Sequence, residues 1–185
     1  MKSLARCLLA SVGVAVIATT PAAAQRGELQ LGGLVSYGTP RSFGRGAGIV
    51  AGIGVARLLY VGVRWDRQSG SRDRVAGSQA EIATHTSLLM ADLGIMLPAG
   101  DLEIVPGMSL GSMRFAQSGS EPAHVSKLVL APGVSLHAHI AWIVAIPELQ
   151  YVWAGAPGLS RPVSHRGAVA TLRLVFPIEL RRIRY

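Results

Sequence analysis

The stretch Thr171-Leu172-Arg173-Leu174-Val175-Phe176-Pro177-Ile178-Glu179-Leu180 alternates between two kinds of side chain. Its even positions hold leucine, phenylalanine and isoleucine, and its odd positions hold threonine, arginine, proline, glutamate and one valine. Successive residues of a β-strand point to opposite faces of the sheet. The stretch therefore predicts a strand with one fully apolar face.

The same period of two recurs along most of the chain. In one segment Leu89 and Leu93 share a face opposite Asp92, and in another Val61 lies on the face opposite Arg64. No sustained helical spacing of apolar residues interrupts these segments. We therefore predict eight strands, over residues 27–38, 46–55, 57–68, 79–97, 102–116, 127–138, 141–154 and 168–180.

The connections between the predicted strands alternate in length. Short turns at one end and long loops at the other are typical of up-and-down β-barrels that cross a membrane. An even number of strands also returns both ends of the chain to the same side. Tight turns are predicted around Ala56, at Pro98–Asp101 and at His139–Ile140, and long loops at 39–45, 68–78, 117–126 and 155–167.

The second face of the predicted strands carries charged side chains. Without partners, such charges cost too much free energy to lie in a dry protein core. A closed antiparallel barrel resolves this conflict because lipid covers its apolar outside and its interior is polar. Side chains can fill the interior of an eight-stranded barrel, so we predict that opposite charges pair and plug the lumen, with a narrow ion path as the alternative. The predicted lumen charges are Arg64, Asp66, Asp92, Glu103, Glu148, Arg173 and Glu179.

Aromatic side chains occur where the predicted strands meet their connections. Amphipathic rings prefer the headgroup level of a membrane, and transmembrane barrels carry girdles of such rings. We predict such a girdle here. Its residues are Tyr37, Trp65, Phe115, Trp142, Tyr151 and Trp153.

The first residues have the pattern of a secretory signal. Lys2 and Arg6 precede a short apolar run, and Ala22–Ala24 fits a cleavage site. We predict a cleaved signal over residues 1–24 and one barrel domain over residues 25–185. An uncleaved anchor is the alternative, but the apolar run is short for a spanning helix. The single cysteine, Cys7, lies in the signal, which excludes disulfides and cysteine chemistry from the remaining domain.

The signal, the alternation, the unequal loops, the aromatic girdle and glycine-rich strands such as Gly46–Gly54 resemble those of the small eight-stranded outer-membrane barrels. This group includes the OmpA transmembrane domain, OmpX and OmpW. The resemblance covers residues 25–185 and rests on architecture, without a short diagnostic motif. It implies a bacterial outer-membrane protein, in contact with membrane lipid and with the outer-membrane assembly machinery. The basic run before Tyr185 departs from the usual aromatic end of the last strand in this group.

We predict a monomer with a structural or surface-interaction role. The formal net charge of +8 is spread over apolar strands of an exported chain, which argues against a nucleic-acid partner. Guanidinium groups bind phosphates through two hydrogen bonds, so we expect the loop arginines to contact lipopolysaccharide, with solvated loop charges as the alternative. These arginines are Arg41, Arg45, Arg67, Arg72, Arg74, Arg161 and Arg166.

Other functions have less support in the sequence. His137 and His139 share one face of a strand, but no third ligand accompanies them, so we predict no metal and no cofactor. A lipid A-modifying enzyme needs a histidine and a serine, usually with an acidic partner. The available pairs lack the sequence pattern of such enzymes, so we predict no enzymatic activity. A soluble lipocalin-like barrel is a further alternative, but it would place the large apolar residues inside and the charges outside. The pairs are His85 with Ser87, His124 with Ser126, and Ser164 with His165.

Two features oppose a simple barrel. The segment Leu128–Pro147 has no charged residue and the length of a membrane helix, although Pro132 and Gly133 interrupt it. In addition, prolines within strands remove ladder donors, so we expect β-bulges or strand ends at these positions. The prolines are Pro106, Pro132, Pro147 and Pro177.

Overall fold

The computed structural model describes residues 28–39, 43–55, 58–74, 81–118, 123–159 and 163–179. The predicted signal, residues 1–24, lies outside these ranges. No helix within them is long and apolar enough to span a membrane. The strands are β1 (Glu28–Thr39), β2 (Gly44–Val55), β3 (Leu59–Arg74), β4 (Glu81–Ile95), β5 (Leu97–Ala99), β6 (Leu102–Gln117), β7 (Ala123–Ile140), β8 (Ile143–Ala154) and β9 (Arg166–Glu179).

All strand pairs are antiparallel, and the sheet closes on itself. β1 pairs with both β2 and β9, and β4 pairs with both β3 and β6. The short β5 continues β4 past Met96 and pairs with β6, so the two segments act as one strand of the wall. The described ranges thus form an eight-stranded closed barrel, and the predicted fold class is confirmed.

The stagger of the strands sets the tilt of the wall. Following register partners once around the barrel from Arg166 on β9 returns to Phe176, ten residues further along the same strand. With eight strands and ordinary strand dimensions, this stagger gives a tilt of about 40°. That value lies in the range of transmembrane barrels.

Several connections are shorter than the sequence predicts. β3 continues to Arg74 and β7 begins at Ala123, so residues of the predicted loops 68–78 and 117–126 extend the wall. The uncharged segment predicted as a possible helix forms most of β7 and the start of β8.

The turn predicted at His139–Ile140 is wrong. These two residues end β7 by pairing with β8, and Ala141 and Trp142 form the turn. Ala141 has φ 53°, a left-handed conformation that glycine and asparagine adopt more readily than alanine does. The sequence therefore carried no turn signal at this position.

Large apolar side chains cover the outside of the wall. Leu174 is 47% exposed and Leu93 is 52% exposed, and similar side chains occur on all eight wall strands. A continuous apolar surface of this kind marks contact with another apolar phase. Further examples are Leu31, Ile49, Val63, Leu110, Leu136 and Leu149.

The inside of the barrel is layered. An apolar cluster fills the end under the long loops, and Leu159 and Val163 from the β8–β9 loop pack against it. Tyr60, Met96 and Val105 form a smaller cluster near the short turns. The prediction that charged side chains line the inner face therefore does not hold near the long loops, because the lumen is narrow enough for inward apolar side chains to meet and exclude water. The larger cluster contains Phe43, Leu88, Met90, Met113, Phe115, Val129, Ala131, Val152, Ala154 and Val169.

The strand prolines do not shift the register of the pairing, and only two of them lie at gaps in a ladder. Pro132 and Pro147 lie at the two gaps in the β7–β8 ladder, and beyond each gap the pairing resumes in the same register. Pro106 keeps its partner on β7, and Pro177 lies near the end of β9. The expectation of bulges is therefore wrong, whereas Pro177 lies near a strand end, as the alternative predicts. Each proline removes a local donor, while the ladders on either side hold the alignment.

Candidate functional site

Two arginines and two carboxylates meet in the middle of the lumen. Nη1 of Arg64 on β3 and Nη2 of Arg173 on β9 each lie 2.6 Å from Oε2 of Glu148 on β8. Asp92 on β4 lies 3.3 Å from Nε of Arg64 and 3.1 Å from Nη1 of Arg173. The four side chains are at most 7% exposed, and their formal charges cancel. We call these four residues the lumen charge network.

Two neutral side chains extend this network. Nη2 of Arg64 donates to Oγ of Ser109 at 2.9 Å and also to Oε1 of Gln150. Nε2 of Gln150 in turn donates to Oγ of Ser109 at 2.8 Å. Sequence reasoning did not include these two residues in the site. The alternation places both of them on the inner face, but no charge singles them out.

Tyr60 and an inner glycine support the network from the side of the short turns. Nη1 of Arg173 donates to the hydroxyl of Tyr60 at 3.3 Å. A Cβ at Gly52 would overlap the Tyr60 ring, with Cε2 and Cζ only 2.7 Å away. Glycine on β2 therefore makes room for the ring that lies against Arg173.

Asp66 does not join the lumen charge network. Its Oδ2 accepts hydrogen bonds from Oγ of Ser36 at 2.7 Å and from Nε2 of Gln68 at 3.0 Å. Oγ1 of Thr86 donates to Oε1 of Gln68 at 3.4 Å. These neutral residues form a second polar cluster on the inner wall, and sequence reasoning missed them.

Glu103 also lies apart from the network. Its Oε2 is 3.9 Å from Nδ1 of His137, and its side chain is 32% exposed. His137 is buried and packs edge-on against Tyr60, with 5.4 Å between ring centroids. Glu179 ends β9, and its side chain lies outside the described part of the structure. Among the described residues, no group of three histidine, cysteine or acidic residues is placed to hold a metal ion.

Five of the six aromatic residues predicted for the girdle point outward. Four of them lie on strands near the long loops, and Trp142 lies in a short turn and is 70% exposed. Trp142 stacks on Phe176 with 5.4 Å between centroids, so Phe176 lies beside it on the outer wall near the short turns. The four near the long loops are Tyr37, Trp65, Tyr151 and Trp153.

The assignment of Phe115 to the girdle is wrong. Phe115 is fully buried inside the barrel, where it joins Met113 in the apolar cluster. β6 turns its odd-numbered residues inward, as Ser109 on the same strand shows. The alternation of the strand therefore decides the direction of this ring, and proximity to a loop does not.

The arginines assigned to long loops lie mostly on strands. Arg45 on β2, Arg67 on β3 and Arg166 on β9 are exposed on the outer face near the long loops. The loop assignment is wrong for Arg45 and Arg166 because β2 and β9 begin earlier than predicted, and for Arg67 because it lies inside the strand that is predicted over residues 57–68. The guanidinium of Arg166 lies 5.1 Å from the ring centroid of Trp153. Of the others, Arg72 and Arg74 end β3 with side chains outside the described set, and Arg41 and Arg161 lie outside the described residues.

The structure does not assemble a histidine–serine pair from the candidates on strands. Oγ of Ser87 accepts a hydrogen bond from Nε1 of Trp65 at 3.0 Å. Within the described ranges, His85 and His124 form no hydrogen bond with a serine.

Solved structures of similar shape are small barrels. A major outer membrane protein from Thermus thermophilus has a TM-score of 0.67 at 12% identity, over 82% of this chain and 99% of that chain. The N-terminal β-barrel domain of Pseudomonas aeruginosa OprF has a TM-score of 0.55 at 11% identity, over 82% and 97%. The fold is that of the small outer-membrane β-barrels.

Ail, the attachment invasion locus protein of Yersinia pestis, is a further small outer-membrane β-barrel of similar shape. Its TM-score is 0.53 at 13% identity, over 83% of this chain and 99% of that chain. No protein-family model and no curated protein matches the sequence. The resemblance seen in the sequence is confirmed at the level of the fold.

Proposed function

We propose that this chain is an integral outer-membrane protein with a closed lumen and a structural or surface-interaction role. The observation that carries this proposal is the inverted wall. Arg64 and Glu148 are buried and paired inside, while Leu93 and Leu174 are about half exposed outside. A soluble barrel would place these side chains the other way round, because burying charges and exposing apolar surface to water are both unfavourable.

The lumen charge network supports a closed barrel. A cavity of about 20 Å³ beside it has room for roughly one water molecule. The apolar cluster lies between this cavity and the long loops, with Phe115 fully buried in it. A passing ion would have to separate buried ion pairs and then cross an apolar section, and both steps are unfavourable.

Planar-bilayer recording tests the closed lumen. The refolded wild-type protein is expected to give no stable conductance. A double variant, Glu148→Ala with Arg173→Ala, removes the central ion pair. Its conductance, compared with that of the wild-type protein, shows how much the lumen charge network contributes to the barrier against ions. Discrete, stable openings of the wild-type protein would overturn the closed lumen and favour a narrow pore for small solutes.

The environment of the wall has its own test. The protein is expected to need detergent for extraction, and the unboiled barrel should run faster on a gel than the boiled chain. A barrel that stays dissolved in plain buffer would contradict the outer-membrane assignment.

We further propose that the protein acts as a monomer without enzymatic activity and has membrane lipid as its main partner. The outward arginines near the long loops, such as Arg45 and Arg67, suit the phosphate groups of lipopolysaccharide. The lipid A of cells with and without the protein is expected to have the same mass spectrum. A difference of an acyl chain or a phosphate would instead favour a lipid A-modifying enzyme.

A further inference from the structure

We propose that Arg45, Arg67 and Arg114 form one binding site for a phosphorylated lipid headgroup on the outer wall of the barrel. We call these three residues the arginine patch. This inference rests on the membrane location proposed above and narrows lipid contact to one side of the barrel. Sequence reasoning missed Arg114, which falls within a predicted strand and not in a loop.

The register brings the three arginines together. Arg67 on β3 pairs with Ala47, two residues from Arg45 on β2, so these arginines are diagonal neighbours on one face. Arg67 and Arg114 both pair with Ser87 on β4, one from each side. Adjacent strands are about 4.8 Å apart, so the backbones at Arg67 and Arg114 are roughly 10 Å apart, within reach of two long side chains.

Among the residues that the structure describes, the three guanidinium groups have no acidic partner. All three residues are exposed, and within the described ranges none of them forms an ion pair. Three neighbouring cations repel one another, and a bound anion relieves this repulsion while accepting charge-assisted hydrogen bonds. Their described outward neighbours are Tyr37, Trp65, Ser69, His85, Ser87, Ser112 and Ser126, none of which is acidic.

The surface beside the patch favours a membrane lipid over a soluble polyanion. Trp65 lies two residues from Arg67 along β3, toward the middle of the barrel, and its Nε1 donates to Oγ of Ser87 at 3.0 Å. An amphipathic ring of this kind marks the headgroup level. Beyond Trp65 lies an open apolar groove of about 380 Å³ with Ala51 in its wall. A lipid could therefore place its phosphates on the arginines and an acyl chain in the groove. The groove is lined mainly by Leu31, Ile49, Ala51, Val63, Trp65 and Leu89.

Arg166 provides a matched contrast. It is exposed and points outward near the long loops, as the patch arginines do. However, its guanidinium already lies over the Trp153 ring, 5.1 Å from the centroid. Across β1, the residue of β9 that lies level with Arg45 is Ala170, four residues away from Arg166, so Arg166 is not a neighbour of the patch.

The test measures binding of diphosphoryl lipid A to the refolded full chain in detergent micelles. Arg67→Gln is expected to weaken binding about tenfold, because one charge-assisted contact is lost, and the triple variant with Arg45→Gln and Arg114→Gln should lose more. The dependence on salt should become shallower with each substitution. Arg166→Gln, the control, should change the affinity less than twofold.

Three results would overturn the patch. The first is a triple variant that binds lipid A as well as the wild-type protein does. The second is an Arg166→Gln variant that loses as much affinity for lipid A as Arg67→Gln does. The third is a triple variant that no longer binds heparin, a soluble polyanion, but still binds lipid A, which would point to a soluble polyanion as the ligand. Gel migration with and without boiling is recorded for every variant. Any of these three binding results, obtained with correctly folded variants, contradicts only the arginine patch. A wild-type protein that dissolves in plain buffer contradicts the proposed function as well.

Discussion

Nη2 of Arg173 lies 2.6 Å from both carboxylate oxygens of Glu148. The two residues are on neighbouring strands, β9 and β8, whereas Arg64 reaches the same carboxylate from β3 on the opposite side of the barrel. Glu148 thus ties facing walls together through two guanidinium groups. Asp92 contacts the same two arginines, but at 3.3 and 3.1 Å, whereas the contacts of Glu148 are 2.6 Å long.

Replacing Glu148 should therefore destabilise the barrel strongly. Glu148→Gln leaves two buried guanidinium groups with Asp92 as their remaining carboxylate. Breaking a buried pair in this way costs about 3–5 kcal/mol. The measurement is the free energy of unfolding by urea in lipid vesicles. Glu103→Gln is the control, because its carboxylate is partly exposed and 3.9 Å from its histidine, and its cost should be below about 1 kcal/mol. Equal losses for the two variants would contradict the assigned role of Glu148.

Two glycines on the barrel wall should respond differently to an added methyl group. A Cβ at Gly52 would overlap the Tyr60 ring inside the lumen, whereas a Cβ at Gly33 would meet only the carbonyl oxygen of Gly48, at 3.8 Å. Gly52→Ala should cost about 1–3 kcal/mol through overpacking. Gly33→Ala should be neutral or slightly stabilising, since alanine loses less backbone entropy on folding. The measurement is again the free energy of unfolding in lipid vesicles. If Gly33→Ala lowered it more than Gly52→Ala does, the position of the Tyr60 ring against Gly52 would be contradicted.

Two phenylalanines test the direction of the wall. Phe115 is fully buried inside the barrel, and Phe115→Ala should cost about 3–5 kcal/mol because it leaves a cavity. Phe176 is 49% exposed on the outside and stacks on Trp142, so Phe176→Ala should cost less, about 1 kcal/mol. Phe176→Ala alone should shift the fluorescence of the turn tryptophan. If Phe115→Ala were the milder change, the buried position of Phe115 inside the barrel would be contradicted.

The alternation of each strand was enough to place the wall and most inward charges. The direction of Arg64 or Arg173 depends only on its position within its own strand. The contacts between strands depend on the stagger, which the sequence pattern does not encode. For this reason Asp66, only two residues from Arg64, binds Ser36 and Gln68, and its separation from the lumen charge network could not be predicted.

Two errors arose where a second rule competed with the alternation. Phe115 was assigned by its nearness to a loop, although its position in β6 already placed it on the inner face. Arg45 and Arg67 are grouped with the loop arginines that could contact phosphates, although Arg67 lies inside the predicted strand 57–68 and β2 includes Arg45. In both cases the ladder to a neighbouring strand outweighs local composition, since a paired backbone satisfies hydrogen bonds that a loop would leave to water.

A charge on the outer wall distinguishes lipid from water as the surrounding solvent. Leu172 lies near the middle of β9 and is 42% exposed, whereas Leu128 lies near the long loops and is 72% exposed. In a soluble protein, arginine at either exposed position would change the free energy of unfolding by no more than about 0.5 kcal/mol. In a bilayer, Leu172→Arg should cost about 2–4 kcal/mol and Leu128→Arg at most about 1 kcal/mol, because the cost falls toward the headgroups. The unfolding free energies of both variants in lipid vesicles provide the comparison. Equal and small effects would show that the apolar outside of this barrel does not face hydrocarbon, because depth in the wall would then have no influence on the cost of a charge.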